Sequence, residues 1–179
     1  LDFSTNALNS AKSVVDKYGE IYNQALMAEL VTDDDLSATY NEALNAVEAY
    51  NEALVTGKNV AEAKKNLGVR YRSGGKSPST GFDCSGFVCW SYRESGTYPL
   101  ERTTAQGIYN KCARVTPGSE KPGDLIFFTG TYSSGNPVTH VGIVVEPGIM
   151  VHAGDPIKYA SYTTSYWNSH FYGFGRLAN

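Results

Sequence analysis

The chain has 179 residues, enough for one domain or for a compact domain with a helical appendage. Hydrophobic residues make up 41% and charged residues 18%, a balance typical of a soluble globular protein. With a formal net charge of -3 and no run of Lys or Arg, the sequence argues against nucleic acid as the main partner. No apolar run reaches the length of a membrane span, and no signal peptide is visible. The first residue is Leu1 rather than Met, so we expect a leader, anchor or further domain before it.

Two amphipathic helices are predicted in the first third of the chain. Apolar positions recur at helical spacing from Ser4 to Val31 and again from Leu36 to Leu54. The acidic residues 33–35 mark the break between them, and Gly57 is expected to end the second helix. We therefore predict an antiparallel helical hairpin over residues 1–57. It is interpreted as a spacer or packing element, because neither helix contains a His or Cys.

The composition changes near Gly57, where we place a boundary between a hairpin region, 1–57, and a second domain, 58–179. Asn59 and Glu62 form a capping-box-like start for a short helix that Gly68 closes. Beyond it the patterns predict helices over Cys84–Glu94 and Thr103–Asn110, and then strands over Leu125–Phe128, Thr139–Val145, Ile149–His152, Ile157–Tyr162 and Tyr172–Gly175. Helices first and an antiparallel sheet afterwards predict an α+β fold class.

Cys84 lies directly after a Gly-rich loop, at the predicted start of a helix. Free backbone N–H groups and the positive helix end stabilise a thiolate, so we expect a lowered thiol pKa. Gly86 leaves room beside the sulfur, and the same N–H groups suit a developing oxyanion. A Cys at a helix start is more often a small core residue, so a nucleophilic role requires a base nearby.

Amide cleavage requires a His beside the thiol, because the leaving amine needs a proton. The chain has three. His140 begins one predicted strand and His152 ends the next. Strands that flank a hairpin turn are neighbours, so the two side chains are expected to face each other, with His152 fixing the tautomer of His140. His170 lies in a polar stretch and is expected at the surface.

The remaining cysteines are interpreted as structural. Cys89 lies on the far side of the predicted helix from Cys84, and Cys112 follows a short helix. The sequence leaves open whether Cys89 and Cys112 form a disulfide. A zinc site is the competing interpretation of the Cys and His residues, but the sequence has no Cys-x-x-Cys or His-x-x-x-His pair.

Four segments together resemble the NlpC/P60 cysteine peptidases, in the order typical of that family. They are Asp83–Phe87, Pro122–Phe128, His140–Val144 and Val151–Ala153. The tail, with Tyr166–Trp167 and Gly173–Arg176, is similar to the closing strands of the family. The resemblance covers about Val60 to Leu177 and leaves the first two helices unexplained. The stretch His152–Ile157 most resembles cell-wall hydrolases carried by conjugative elements of Gram-positive bacteria.

The resemblance implies a papain-like α+β fold in which the Cys helix packs on an antiparallel sheet. It also implies a secreted, extracellular or cell-wall-associated hydrolase that acts on peptidoglycan stem peptides without a metal or cofactor. The bond implied lies between γ-D-Glu and the diamino acid. Cys84 matches the nucleophile, His140 the base and His152 the orienting residue. Tyr71 matches the family Tyr whose hydroxyl lies near the nucleophile, where it would complete an oxyanion hole.

Two residues beside the nucleophile match positions that line the family's substrate groove. These are Asp83 and Ser85, although Asp and Ser at a helix start are also ordinary caps. One position departs from the family pattern, since Ser73 stands before Gly74 where an aromatic residue is common. The departure alters the groove wall or the preferred peptide but removes no catalytic atom.

Two other functions stay open at the level of sequence. An acyltransferase or amidase on the same fold would use the same Cys–His pair, and its product would be a new amide or ester rather than a free amine. A non-catalytic module would bind cell-wall peptide while the helical hairpin docks a partner. Three roles of the hairpin stay open: a linker to an upstream domain or to secretion or conjugation machinery, a dimer interface, or a lid over the groove.

Overall fold

The structure is a computed structural model that describes residues 57–177 continuously. Before them it describes only residues 12–13, 16–17, 20–21, 38, 41–42 and 44–46, all of which are helical. The predicted hairpin over residues 1–57 therefore lies mainly outside the described residues. The chain divides into two compact units, Leu1–Val55 and Thr56–Asn179.

The described part of the second unit starts in a helix whose first residue the sequence patterns place too late. Residues 57–64 are helical, and Gly57 and Asn59 both lie inside this helix. The prediction that one helix ends at Gly57 and another begins at an Asn59 cap is therefore wrong. The buried Asn59 instead donates its side-chain amide to the carbonyl of Gly123 at 3.2 Å, which binds the helix to a turn of the sheet. Gly68, with a left-handed φ of 84°, follows the helix as predicted.

Three further helices and eight strands follow among the described residues. The helices are α1 (Cys84–Glu94), α2 (Ala105–Lys111) and α3 (Ser165–Ser169). The strands are β1 (Lys76–Ser77), β2 (Gly81–Phe82), β3 (Ala113–Val115), β4 (Leu125–Phe128), β5 (His140–Glu146), β6 (Ile149–His152), β7 (Lys158–Ser161) and β8 (Phe171–Arg176). Within this part of the chain, every helix is too short or too polar to span a bilayer.

Six of the strands form one antiparallel sheet in the order β3-β8-β4-β5-β6-β7, while β1 and β2 pair as a short ribbon. The α+β class predicted from the sequence is thereby confirmed. Strands β4 and β6 have the predicted bounds, and the other three predicted strands differ by one residue at each end. The short elements β1, β2, β3 and α3 were not predicted.

Each face of the sheet carries its own apolar cluster. Side chains alternate along β4, so Leu125 and Phe127 face one side and Ile126 and Phe128 the other. The helix-side cluster joins α1 to the sheet through Phe87, Val88, Leu125, Phe127, Val141, Ile143 and Val151. The outer cluster consists of Ile126, Phe128, Val144, Met150 and Phe174. The sheet is therefore covered on both faces, and α1 lies on one of them.

The first turn of α1 packs against backbone rather than against side chains. A Cβ at Gly86 would lie 2.0 Å from the carbonyl oxygen of Gly75. A Cβ at Gly75 would in turn lie 2.3 Å from the carbonyl oxygen of Gly81. Only glycine permits these approaches, so the loop before α1 and the start of α1 are held in one arrangement.

Substitution Gly86→Ala is expected to destabilise the domain. Alanine is favoured over glycine in a helix by about 1 kcal/mol, but the added methyl would collide with a carbonyl oxygen that cannot move freely. We expect the free energy of unfolding, measured by urea titration, to fall by about 1–3 kcal/mol. Gly135→Ala is the matched control because its Cβ would meet no atom within 4 Å. Equal stability of the two variants would contradict the packing described for Gly86.

Candidate active site

Cys84 is the first residue of α1 and is 8% exposed. Its Sγ lies 4.0 Å from the carbonyl oxygen of Thr139, the residue directly before His140. The thiol of α1 therefore lies beside the start of β5, where the predicted base stands. A direct contact between Sγ and the His140 ring stays a prediction.

The Asp83 carboxylate organises the start of α1. It caps the helix by accepting the Gly86 N–H at 2.6 Å, and it also accepts the Ser85 hydroxyl at 3.0 Å. Its other oxygen accepts the Gly74 N–H at 3.0 Å and forms an ion pair with Arg102. Arg102 also donates to Ser85 Oγ at 2.9 Å. Asp83 and Ser85 therefore bind the loop, the helix and Arg102 to one another beside the thiol.

The Cys84 thiol is held in its neutral form. Burial is the main reason that its pKa rises to about 11, and the Asp83 carboxylate raises it further. Backbone hydrogen bonds from Val141 and Ser85 and the charge of Arg102 lower the pKa, but they do not offset the burial. The prediction of a lowered pKa is therefore wrong for the free protein, because desolvation outweighs the helix end.

His140 and His152 form a hydrogen-bonded pair. His140 Nε2 and His152 Nδ1 lie 3.0 Å apart. In the register of β5 and β6, Gly142 lies opposite His152, so the two histidines are diagonal neighbours on one face. A Cβ at Gly142 would lie 3.3 Å from His152 Cβ, so the glycine leaves room for the rings to meet. The structure thus brings together the two side chains that the hairpin pattern predicts to face each other.

Aromatic rings enclose the histidine pair. Phe128 and Trp167 pack against His140, and Trp167 also contacts His152. Burial accordingly lowers the pKa of His140 to about 3, with His152 as the second cause. It lowers the pKa of His152 to about 4, with Lys158 as the second cause. Both imidazoles are therefore neutral at pH 7.

An open pocket lies beside the thiol. It is lined by Tyr71, Ser73, Asp83, Cys84, Ser85, Arg102, Thr104, Ala105 and Tyr132. Tyr71 is 42% exposed, and its pKa is raised by burial and then by the nearby Cys84 and Asp83. The structure therefore gathers Tyr71, Asp83 and Ser85 around Cys84, and Ser73, which departs from the family pattern, lies in the pocket wall.

Two residues of the pocket have no counterpart in the sequence predictions. Arg102 and Tyr132 line it from segments that carry no recognised motif. Trp167 belongs to the tail that resembles the family's closing strands, but its position against the histidines was not predicted. The charge pair between Arg102 and Asp83 spans 19 residues, so no local pattern indicates it. His170, expected at the surface, is half-buried and donates Nδ1–H to the carbonyl of Thr129 at 2.7 Å.

All three cysteines are free and buried. Cys89 Sγ donates to the carbonyl of Glu101 at 3.3 Å, and Cys112 Sγ to the carbonyl of Ile108 at 3.3 Å. The Cys89–Cys112 disulfide left open by the sequence is therefore not formed. Among the residues that the structure describes, no three His, Cys, Asp or Glu side chains converge in a way that would hold a metal ion.

The fold and the site define an α+β domain with a thiol at a helix start, packed on a sheet that presents a histidine pair. The chain belongs to the NlpC/P60 family, whose model matches residues 68–176.

Two curated relatives show the same similarity. The chain is 42% identical over 118 residues to the bifunctional muramidase/DL-endopeptidase CwlT of Bacillus subtilis, covering 65% of this chain and 35% of CwlT. It is 43% identical over 119 residues to the probable endopeptidase p60 of Listeria welshimeri, covering 66% of this chain and 21% of p60. The matched segment thus spans about a third or less of either relative.

A solved structure agrees with the fold. An NLP/P60-family protein similar to lipoprotein, from Staphylococcus aureus, superposes with a TM-score of 0.66 at 40% sequence identity. The match covers 70% of this chain and 42% of the Staphylococcus protein. The similarity in both sequence and structure places the two chains in one fold family.

The histidine pair, in which His152 is buried and His140 half-buried, is expected to make stability depend on pH. Unfolded histidines take up a proton near pH 6.5, whereas the folded pKa values are about 3 and about 4. The unfolded state therefore binds more protons below pH 6.5, and stability is present above that pH and is lost as the pH falls toward 4. Between pH 7 and pH 5 we expect each histidine to cost about 1–2 kcal/mol of unfolding free energy, measured by urea titration.

The double variant His140→Gln/His152→Gln should lose much less stability over the same pH range, because it lacks both groups. Tyr159→Phe, a substitution at an exposed position of β7, is the control and should keep the pH dependence of the parent chain. The same loss of stability in the double variant as in the parent would show that the pair is not held neutral.

Proposed function

We propose that this chain is a cell-wall hydrolase that cleaves peptidoglycan stem peptides, between γ-D-Glu and the diamino acid. The proposal is supported chiefly by one observation: Cys84 Sγ contacts the carbonyl of Thr139, and the next residue begins the His140–His152 pair. A nucleophile and a base held on adjacent elements are what acyl transfer requires. Two relatives named as endopeptidases, one of them as a DL-endopeptidase, favour a peptide substrate of this type.

The resting state proposed for the site is a neutral pair rather than an ion pair. A thiol pKa of about 11 and an imidazole pKa of about 3 leave the proton on sulfur at pH 7. His140 then acts as a general base during attack and not before it. Bound substrate is therefore needed for ionisation of Cys84, because the proton moves to His140 only as sulfur attacks the substrate carbonyl.

His152 fixes the tautomer of the base. For His140 to accept the thiol proton at Nδ1, its Nε2 must carry the hydrogen and donate it to His152 Nδ1 at 3.0 Å. The same bond strengthens when His140 becomes an imidazolium, because the donor is then charged. His152 is 4% exposed, so its own ring stays in place through the reaction.

The reaction proceeds through a thioester. Cys84 Sγ attacks the γ-D-Glu carbonyl carbon while His140 takes the thiol proton, and the carbonyl oxygen becomes an oxyanion. The Cys84 N–H and the Tyr71 hydroxyl donate hydrogen bonds to that oxyanion. The C–N bond then breaks as His140 returns the proton to the leaving amine. Water, deprotonated by His140, then attacks the thioester carbon. The C–S bond breaks, the acid is released, and His140 returns the proton to sulfur to restore the thiol.

Asp83 and Ser85 act in this scheme at the wall of the substrate groove. Both line the pocket, and both are bound by Arg102. We infer that they shape the groove next to the scissile bond and hold the start of α1, which is where the Cys84 N–H must point. The Arg102 side chain is 33% exposed, so its remaining N–H groups can reach a bound peptide.

The location proposed for the protein follows from the substrate, and the proposed division of roles follows the sequence boundary near residue 57. Peptidoglycan lies outside the cytoplasmic membrane, so we propose an extracellular or cell-wall-associated protein. Residues 58–179 carry the activity in this proposal. Residues 1–57 connect it to an upstream domain or to secretion or conjugation machinery.

Replacing the nucleophile tests the proposal directly. Cys84→Ala should abolish the release of new amino groups from purified peptidoglycan fragments. Mass spectrometry of the digestion products measures this release. Cys89→Ala, which alters a core thiol of the same helix, is the matched control and should retain activity. Products cut at another bond would contradict the proposed specificity, and a new amide or ester would indicate an acyltransferase. Digestion by Cys84→Ala at the parent rate would exclude the mechanism.

The role of Tyr71 is tested by removing one oxygen. Tyr71→Phe should lower kcat by about 10²–10³-fold with little change in KM, because the lost hydrogen bond forms only with the oxyanion. Tyr159→Phe is the control, since Tyr159 is 44% exposed, much like Tyr71 at 42%, but lies on β7 outside the pocket. A rise in KM without loss of kcat would instead assign Tyr71 to substrate binding.

A further inference from the structure

Trp167 has a distinctive position over the two histidines. Its indole stacks on the His140 ring with centroids 5.3 Å apart and planes inclined by 25°. The same indole meets the His152 ring edge-on, at 5.1 Å and 82°. Its centroid lies 4.5 Å from that of Phe128, which also contacts His140. One side chain thus touches both members of the pair.

Helix α3, which carries Trp167, is fixed to the strand beside His140. Thr164 Oγ1 caps the start of α3 by accepting the backbone N–H of Trp167 at 3.5 Å. His170, at the end of α3, makes two hydrogen bonds to Thr129. Its ring N–H donates to the Thr129 carbonyl at 2.7 Å, and its backbone carbonyl accepts the Thr129 N–H at 2.8 Å. Thr129 follows Phe128, which is the register partner of His140. The indole is therefore held relative to the strand next to the base.

We propose that Trp167 is a positioning residue, whose indole fixes the plane of the His140 ring and keeps water from the His140–His152 hydrogen bond. This role rests on the proposed function, in which His140 is the base. A hydrogen bond at Nε2 alone leaves the ring free to rotate about the axis through that bond. A stacked indole removes this freedom and so directs Nδ1 toward one region of space.

Burial is the main influence on the charge of the histidine pair. From β6, His152 faces His140, and from β7, Lys158 faces His152 in the strand register. From α1, Cys84 lies beside the residue that precedes His140. The contacts from α3 and β4 are the uncharged Trp167 and Phe128. Removing the indole admits water without removing a charge.

The test compares Trp167→Leu and Trp167→Phe with the parent full-length chain. Titration of the histidine ring signals by NMR follows His140 and His152, and the parent chain provides the reference. In Trp167→Leu we expect the pKa of His140 to rise by about 1 or more toward the ordinary 6.5, because water can solvate the imidazolium. We expect kcat on peptidoglycan fragments to fall by about 10–100-fold with KM unchanged, because the base is misaligned.

Trp167→Phe keeps an aromatic ring and should recover most of kcat, which a merely structural loss would not predict. Trp90→Phe is the matched control, since Trp90 is the other tryptophan of the chain and packs on Phe82 away from the histidines. It should leave both the titration and kcat unchanged. The acid limb of the kcat/KM profile should move to higher pH in Trp167→Leu by the same amount as the His140 pKa.

Two results would overturn the proposal. One is an unchanged pKa of both His140 and His152 in Trp167→Leu. The other is a raised KM with unchanged kcat, which would place the indole on the substrate. The titration needs no substrate, so it decides the role of Trp167 on the histidine pair even if Cys84→Ala shows that the chain is not a cysteine peptidase.

Discussion

The Asp83 carboxylate is the constraint on which the surroundings of Cys84 depend. It accepts hydrogen bonds from the Gly86 N–H in α1 and the Gly74 N–H in the preceding loop, and Arg102 binds it from a third segment. This carboxylate also raises the pKa of the neighbouring thiol, because a negative charge disfavours a thiolate. The carboxylate that binds the pocket walls together therefore opposes ionisation of the Cys84 thiol, and Arg102 offsets part of that effect.

This conflict is resolved if the proton moves only when substrate is present. A buried thiol and a buried imidazole are both most stable uncharged, so an ion pair is unfavourable before the pocket is occupied. In the proposed mechanism, attack on a carbonyl creates an oxyanion and an imidazolium together, and the Cys84 N–H stabilises the first while the His152 ring stabilises the second. The neutral resting state thus limits reaction of the thiol in the absence of substrate.

The sequence predicts the elements better than it predicts their contacts. Strand β4 follows from a short apolar run after a Pro-Gly-Asp turn, and β6 follows from the hairpin signature around Glu146–Gly148, because both signals are local. Helix α1 follows from its place between a Gly-rich loop and Gly96. The meeting of His140 and His152 follows from the hairpin turn alone. The Arg102–Asp83 ion pair and the position of Trp167 depend on how distant segments fold together, so no local pattern indicates them. The thiol pKa was mispredicted because burial is a property of the whole fold.

The two halves of the site come from opposite faces of the sheet. Cys84 belongs to α1, which packs on the helix-side cluster, whereas the histidine rings lie against Phe128 and Trp167 of the outer side. The thiol reaches the start of β5, where its Sγ lies 4.0 Å from the Thr139 carbonyl oxygen, directly before His140. Each half packs against its own cluster, so in the proposed mechanism the geometry between thiol and imidazole depends on the end of a single strand. Residues that contact that strand end, from Thr139 on one side to Trp167 on the other, therefore act on the proposed nucleophile and the proposed base together.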